Sequence, residues 1–245
     1  MTVRLLAPAK LTWSLRVVGV RDDGYHLIDA EMITLDLADE VSIDESAPPS
    51  LTVAGPFARG APTDDSNLVA KALLIVGRQA SVHIVKQIPN GGGLGGGSAD
   101  AAAILRWAGV DDPAIAVQVG ADVPFCVAGG RARVTGVGEH IEPLPAVIRV
   151  VTLVVPPLHV STPAVYRSWD DLGGPTADGP NDLEPAAIAV EPGLATWRDR
   201  ITTLSDVTPV LAGSGATWFV EGDHAAALAE LRRGGAKVVL ARTAT

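Results

Sequence analysis

The chain has 245 residues, 47% of them hydrophobic and only 19% charged, which is enough apolar material for a large core and the reverse of a disordered composition. A formal net charge of −9 excludes an extended nucleic-acid surface, which needs clustered Lys and Arg, but still permits a small basic pocket for an anionic metabolite. The single cysteine, Cys126, rules out an intrachain disulfide, and the scattered histidines give no legible metal cluster.

In chain order, Val3–Ala7 and Leu11–Val18 read as strands parted at Pro8, followed by a polar turn at Arg21–Gly24. The apolar N-terminus is interrupted by Lys10 and lacks a cleavage-site pattern. The strongly apolar run Val150–Val155 is far too short to cross a bilayer, so a cytoplasmic chain with no membrane partner is expected. Ile33–Leu37, Val41–Ile43 and Leu51–Val53 continue a β-rich opening. Ser66 is then expected to cap a helix from Asn67 to about Arg78, with Leu68, Ala72 and Ile75 at helical spacing.

Val82, Ile84 and Ile88 mark a further strand, a glycine-rich segment follows, and Ser98-Ala99-Asp100 is expected to open an Ala-rich helix to about Trp107. The character changes near Pro143–Pro145. Val147–Val155 reads as a buried strand, Thr162–Trp169 and Leu194–Leu204 as helices, and Val207–Leu211 and Thr217–Val220 flank a second glycine turn at Gly213–Gly215. His224–Arg233 reads as a helix and Ala236–Ala241 as a closing strand, while the Gly/Pro/Asp-rich loop 170–180 is expected to be mobile. This order predicts an α+β fold of two lobes with a cleft between them, divided at 1–145 and 146–245.

Residues 91–97 hold six glycines in seven positions after a strand and before a helix. Such a segment is entropically costly, and its bare backbone N–H groups, together with a helix N-terminus, suit a polyphosphate. It is not a Walker A loop, because no Gly-Lys-Ser/Thr follows. A dinucleotide fold would need a second strand before Asp111-Asp112, and none is present; protein-kinase signatures are missing as well.

Four blocks in order resemble the GHMP kinases, and among them the diphosphocytidyl-methylerythritol kinase family. They are Pro8-Ala9-Lys10 continued by Arg21-Asp22-Asp23-Gly24-Tyr25-His26-Leu27; Pro89 to Ala102; Gly120-Ala121-Asp122-Val123-Pro124-Phe125; and Leu211 to Thr217. Asn181-Asp182-Leu183-Glu184 also resembles a family segment. The chain departs from the pattern at Thr12 (usually Asn), Ala99 (usually Ser), Cys126 (usually aromatic) and Ala216 (usually Pro), and its stretch between Leu105 and Gly120 is short. The resemblance implies a GHMP-kinase fold, with a ribosomal-protein-S5-like N-terminal lobe, a ferredoxin-like C-terminal lobe and the active site in the cleft. It also implies ATP with Mg²⁺ as the phosphate donor system and a cytidine diphosphate ester of methylerythritol as the small-molecule acceptor. The chain is expected to act as a monomer or homodimer, with no nucleic-acid partner.

Phosphoryl transfer depends on positioning and charge neutralisation. Asp122, a carboxylate before an apolar Val-Pro-Phe segment, suits the group that takes or orients the acceptor proton, and Lys10 suits its paired cation; a turn cap and a solvent-exposed lysine are the plainer alternatives. The resemblance places the nucleotide along Pro89, Asn90, Gly91, Gly92, Gly93, Leu94, Gly95, Gly96, Gly97, Ser98 and Ala99. It also puts Asn67 near adenine, where a simple helix start is the other reading. Ser98 could donate to phosphate or ligate Mg²⁺ while capping its helix. Tyr25 and Tyr166 could stack on the cytosine with His26 at the base edge, Thr162 being a further contact; Tyr166 could equally be a core aromatic. Cys126 reads as a small buried residue.

Overall fold

In the computed structural model, which describes residues 2–244, β1 (Thr2–Val20) and β2 (His26–Asp44) run antiparallel along their whole length. The turn between them closes when Arg21 N–H donates to the Tyr25 carbonyl at 2.8 Å and Gly24 N–H to the Arg21 carbonyl at 2.9 Å, with Gly24 at φ +84°. The expected break at Pro8 is therefore absent. β1 pairs with no second strand, so proline is tolerated there, and the chain absorbs it as a shift of register between Pro8 and Lys10. Further shifts follow at Thr12/Ser14 and Val17/Gly19. Opposite Pro8–Lys10 it is β2 that carries two extra residues, Pro8 pairing with Ala38 and Lys10 with Thr34, so the alternation of β1 runs on unbroken. Ala9, Lys10, Leu11 and Thr12 are nevertheless buried in succession, because both faces of β1 are covered there.

β3 (Ser50–Ala54) lies parallel to β4 (Ser81–Val85), β4 and β5 (Arg131–Gly136) pair antiparallel with β2, and β6 (His140–Pro143) closes the sheet. Strands β5 and β6 were not anticipated. In β5 the signal is a period-two pattern in which only Ala132 and Val134 are buried, with Arg131 and Arg133 between them. The helix expected from Ser66 is α1 (Leu68–Ile75), and its cap is Asn67, whose Oδ1 accepts from Val69 N–H at 2.9 Å. α2 (Gly96–Ala108) is buried at every position from Ala99 to Leu105, a central helix that its small Ala side chains let neighbours approach closely. Two short helices follow: α3 (Pro113–Val119), capped by Asp112 with Pro at its start, and α4 (Val123–Ala128).

The second sheet contains β7 (Val150–Val155), β8 (Val210–Leu211), β9 (Trp218–Glu221) and β10 (Lys237–Arg242) in the antiparallel order β10-β7-β9-β8. Its helices are α5 (Thr162–Asp171), the unanticipated α6 (Glu184–Val190) and α7 (Gly193–Ser205). The helix expected over His224–Arg233 is a tighter 3₁₀ helix, Ala227–Gly234. The loop after α5 is pinned rather than free. Trp169 Nε1 donates to the Pro175 carbonyl at 3.0 Å, and Asp182 accepts from Ala177 N–H at 3.0 Å and from Arg16 at 2.6 Å. Both hydrophobic clusters draw on both sheets: Val151, Leu153 and Phe219 pack with the α2 cluster, while Leu15, Met32 and Phe125 pack with the α5–α7 cluster. No helix among the described residues is long and apolar enough to cross a membrane.

Beneath the glycine loop lies a buried charged triad. Lys86, just past β4, is bonded to Asp39 and, at 2.7 Å, to Asp100 of α2, all three side chains being 4% exposed or less. Asp39 also accepts from Ile88 N–H at 2.7 Å, so the triad ties β2, the strand exit and α2 together where the loop begins. Two carboxylates share one ammonium, and the second oxygen of Asp100 has no partner. Burial, reinforced by the Asp39 carboxylate and opposed by Lys86, pushes the Asp100 carboxyl up to about 7. With the folded value raised above the ordinary 3.8, the stabilisation is full below the unfolded pKa and is lost as pH rises through about 7. Asp100→Asn fixes a neutral side chain, so the melting temperature of the wild type relative to this variant should fall between about pH 4 and 7. A constant difference across that window would show that Asp100 stays ionised throughout.

Candidate active site

Lys10 stands where both faces of β1 are covered, leaving its side chain 6% exposed. An ammonium so placed needs partners. It has two: Nζ donates to Thr12 Oγ1 at 3.0 Å and pairs with Asp122 Oδ2 at 3.1 Å. Asp122 occupies the N-cap position of α4 but caps nothing with its side chain, so the carboxylate is left for Lys10, and it is one-third exposed toward the cleft. Thr12, one of the departures from the family pattern, thus supplies the lysine with an acceptor, a role that its sequence position alone did not signal.

The glycine loop wraps this pair. Lys10 N–H donates to the Leu94 carbonyl at 3.0 Å, and a Cβ on Gly95 would come within 2.7 Å of Lys10 Cγ. Gly91, Gly93 and Gly95 take φ of +69°, +74° and +68°. Helix α2 begins at Gly96 with Gly95 as its cap residue, so Ser98 is the third residue of the helix and not its cap. The first intrahelical bond runs from Ala99 N–H to Gly95 at 2.8 Å, and the preceding amides of the first turn have no helical partner. Pro89, Leu94 and Ala99 are buried and brace the loop from behind. Gly92 faces Thr217, whose Oγ1 is 2.8 Å from where a Cβ would sit, and its carbonyl accepts from Thr217 N–H at 3.3 Å. A Cβ on Gly93 would lie 2.5 Å from the Ala212 carbonyl, and one on Gly96 3.1 Å from Lys86 Nζ. The two glycine turns, far apart in sequence, interlock face to face.

A cleft of about 630 Å³ opens on one side of this wall. Its lining includes Lys10, Thr12, Ser98, Asp122, Gly213 and Ser214 together with the aromatic group Tyr25, His26 and Tyr166. Thr162 sits at the mouth of α5, bonded through its hydroxyl to Ser214 Oγ at 2.7 Å. His26 lies against Tyr166, with ring centroids 4.6 Å apart and tilted 32°, and its Nε2 is 2.8 Å from Asp170. Tyr166 therefore already carries His26 on one face, which narrows how a base could stack there, while Tyr25 is 62% exposed. Burial, with the Asp122 carboxylate adding to it, pushes the Tyr166 phenol above its ordinary value, so the hydroxyl stays neutral within the influence of that carboxylate. Cys126 is buried, and burial pushes its thiol up to about 12, so it offers no thiolate nucleophile. Arg167, Asp170 and Ser214 also border the cleft and were not singled out from the sequence. The available signal was the spacing of Pro163, Tyr166, Arg167 and Asp170, which puts them on one face of a helix.

On the other side of the loop is a hollow of about 250 Å³ whose lining includes Asn67, Leu68, Lys86, Asn90, Gly97 and Asp100. Asn67 borders it, but its polar atoms hold the wall: Nδ2 donates to the Pro62 carbonyl at 2.7 Å and Oδ1 caps α1. Asn90 likewise donates to the Phe57 carbonyl. Leu68 borders both cavities. The chemistry of such a wall fits a polyphosphate, because the first-turn amides of α2 have no helical partner and carry the positive end of its dipole. No group of three or more His, Cys, Asp or Glu among the described residues is placed to hold a metal. The Ser98 hydroxyl and the Asp122 carboxylate are oxygen donors of the kind Mg²⁺ takes alongside substrate phosphates.

The model of the GHMP kinases N terminal domain matches residues 67–130. The chain is 40% identical to a 4-diphosphocytidyl-2-C-methyl-D-erythritol kinase of Paracoccus denitrificans (strain Pd 1222), the alignment covering 88% of this chain and 85% of that protein. It superposes on a crystal structure of 4-(cytidine 5'-diphospho)-2C-methyl-D-erythritol kinase with a TM-score of 0.78 and 31% identity, over 99% of this chain and 100% of the other. A homoserine kinase from Cytophaga hutchinsonii, at 16% identity and a TM-score of 0.65 over 100% and 95% of the two chains, shares the fold.

The interlock of the two glycine turns is directly testable by stability. Gly93→Ala must move backbone carbonyls at positive φ, whereas Gly24→Ala, also at positive φ, meets nothing within 4 Å. Chemical denaturation should therefore show Gly93→Ala less stable than Gly24→Ala by about 1–3 kcal/mol. Equal losses would mean that the turns yield to each other.

Proposed function

The chain belongs to the 4-diphosphocytidyl-2-C-methyl-D-erythritol kinase family of the GHMP kinases, and from that premise we propose that it transfers the γ-phosphate of ATP to the 2-hydroxyl of 4-diphosphocytidyl-2-C-methyl-D-erythritol, a step in isoprenoid precursor synthesis. The observation that carries the reading is the Lys10–Asp122 pair at 3.1 Å, at the end of a cleft bounded by the phosphate-type loop and opposite an aromatic cluster. The nucleotide lies along the glycine loop with its base toward the Asn67 hollow, and the acceptor fills the larger cleft. The short Leu68 boundary between the two is where they would meet.

In this reading the acceptor hydroxyl attacks the γ-phosphorus in line, its proton passes to Asp122, and the bond from that phosphorus to the bridging oxygen breaks, leaving ADP. Lys10 pairs with Asp122 and offsets charge at the attacking oxygen, while Thr12 stops the ammonium from swinging away. Loop amides and Ser98 orient the phosphates. Mg²⁺, held by those phosphates with Ser98, would neutralise charge on them. Tyr25 and Tyr166 offer flat surfaces to the cytosine. His26, fixed by Asp170 through Nε2, has its other ring nitrogen for the base edge.

The decisive assay is ATP consumption with the cytidyl ester against a panel of other alcohols; turnover of a different alcohol alone would move the chain to another GHMP activity. Asp122→Asn should lower turnover by about 10²–10⁴-fold with ATP affinity nearly unchanged, because the residue is on the acceptor side. Near-full turnover in that variant would remove Asp122 from the proton path.

A further inference from the structure

We propose that Arg167 binds the diphosphate linker of the acceptor and thereby selects a nucleoside diphosphate ester over a bare nucleoside; this rests on the acceptor assigned above. The other ionisable side chains on the cleft each have a partner. Lys10 pairs with Asp122 at 3.1 Å, Asp23 with Arg21, and Asp170 with His26 at 2.8 Å. Arg167 lines the same cleft, and its guanidinium has no hydrogen bond or ion pair among the described residues. Arg167 is exposed at the cleft wall, and its planar fork of donors suits phosphate oxygens.

Its place along α5 identifies which part of the acceptor it meets. The start of that helix is tied to the transfer end of the cleft by the 2.7 Å contact of Thr162 with Ser214, beside Gly213, whose added Cβ would lie 3.8 Å from Lys10 Nζ. Asp170, two turns on, is tied to the aromatic end through His26. At a rise of about 1.5 Å per residue the two ties are roughly 12 Å apart, with Arg167 between them. Tyr166, Arg167 and Asp170 share a face, so a molecule with its base at His26 and its reacting hydroxyl at Asp122 passes its linker across Arg167.

The test compares the wild type with Arg167→Met and Arg167→Lys. Arg167→Met should raise the KM for the cytidyl ester about 10–100-fold, with the KM for ATP unchanged and kcat falling far less, and Arg167→Lys should recover part of the loss. The gap between wild type and Arg167→Met should narrow as salt is added. In calorimetric titrations the same substitution should weaken CDP by the same factor and leave cytidine untouched. Equal weakening of CDP and cytidine, or an unchanged acceptor KM in Arg167→Met, overturns the assignment of Arg167 while leaving the kinase reading intact. A wild type that never phosphorylates the cytidyl ester overturns the kinase reading instead, and the CDP-against-cytidine titrations then decide Arg167 by themselves.

Discussion

A lysine ammonium held in the protein interior is the constraint around which the site is organised. Lys10 is buried because both faces of β1 are covered where it stands, and once buried it requires oxygen partners. Asp122 comes from the start of α4, Thr12 from two residues along the same strand, and the loop that covers the stem must be glycine at position 95 to leave room for it. The cost of interring a charge is met by a pair whose second member remains one-third exposed to the cleft. That asymmetry is what a transfer site needs: the cation is fixed and dry, while the carboxylate is reachable by an incoming hydroxyl.

The glycine loop serves two masters, and its composition reflects both. Gly93 and Gly92 are glycine because the second turn, Ala212 to Thr217, presses carbonyl and hydroxyl oxygens against them. Gly95 and Gly96 are glycine because Lys10 and Lys86 pass beneath. So the same residues that leave the backbone bare also let the two sheets' loops close on each other at a seam. The Lys86–Asp39–Asp100 triad anchors the entry to that seam from below, converting a flexible sequence into a fixed surface.

Much of this was legible before the structure, for physical reasons that differ by element. The glycine run flanked by a strand and a helix, and the Pro-Ala-Lys and Gly-Ala-Asp-Val-Pro-Phe blocks, name chemistry directly. The α+β order could be read from alternating patterns. What escaped were features that depend on tertiary pairing. A proline in an edge strand looks like a break until the partner strand shows a bulge, and Ser66 and Ser98 look like caps until the backbone shows Asn67 and Gly95 in that role. Strand β5, with arginines at alternate positions, reads as loop unless Asp29 and Glu31 across the ladder are known to bind them, at 2.7 Å and 2.8 Å. The contact of His26 with Tyr166 joins residues far apart in the chain, and no local pattern announces it.

The negative balance of the chain is reconciled with two polyanionic substrates by local pairing. Arginines and lysines are few, and nearly every one near the site is already spent on a carboxylate or a backbone carbonyl: Lys10 on Asp122, Lys86 on Asp39 and Asp100, Lys71 on the Val119 carbonyl, Arg106 on the Leu6 and Cys126 carbonyls. Along the glycine loop, backbone amides and the first turn of α2 are then the main positive element on offer, in place of lysines. Amides are fixed dipoles that need no counter-ion when the site is empty, whereas a cluster of lysines would repel itself. On the cleft side of the wall Arg167 is the one guanidinium in the lining, and among the described residues it has no hydrogen bond or ion pair.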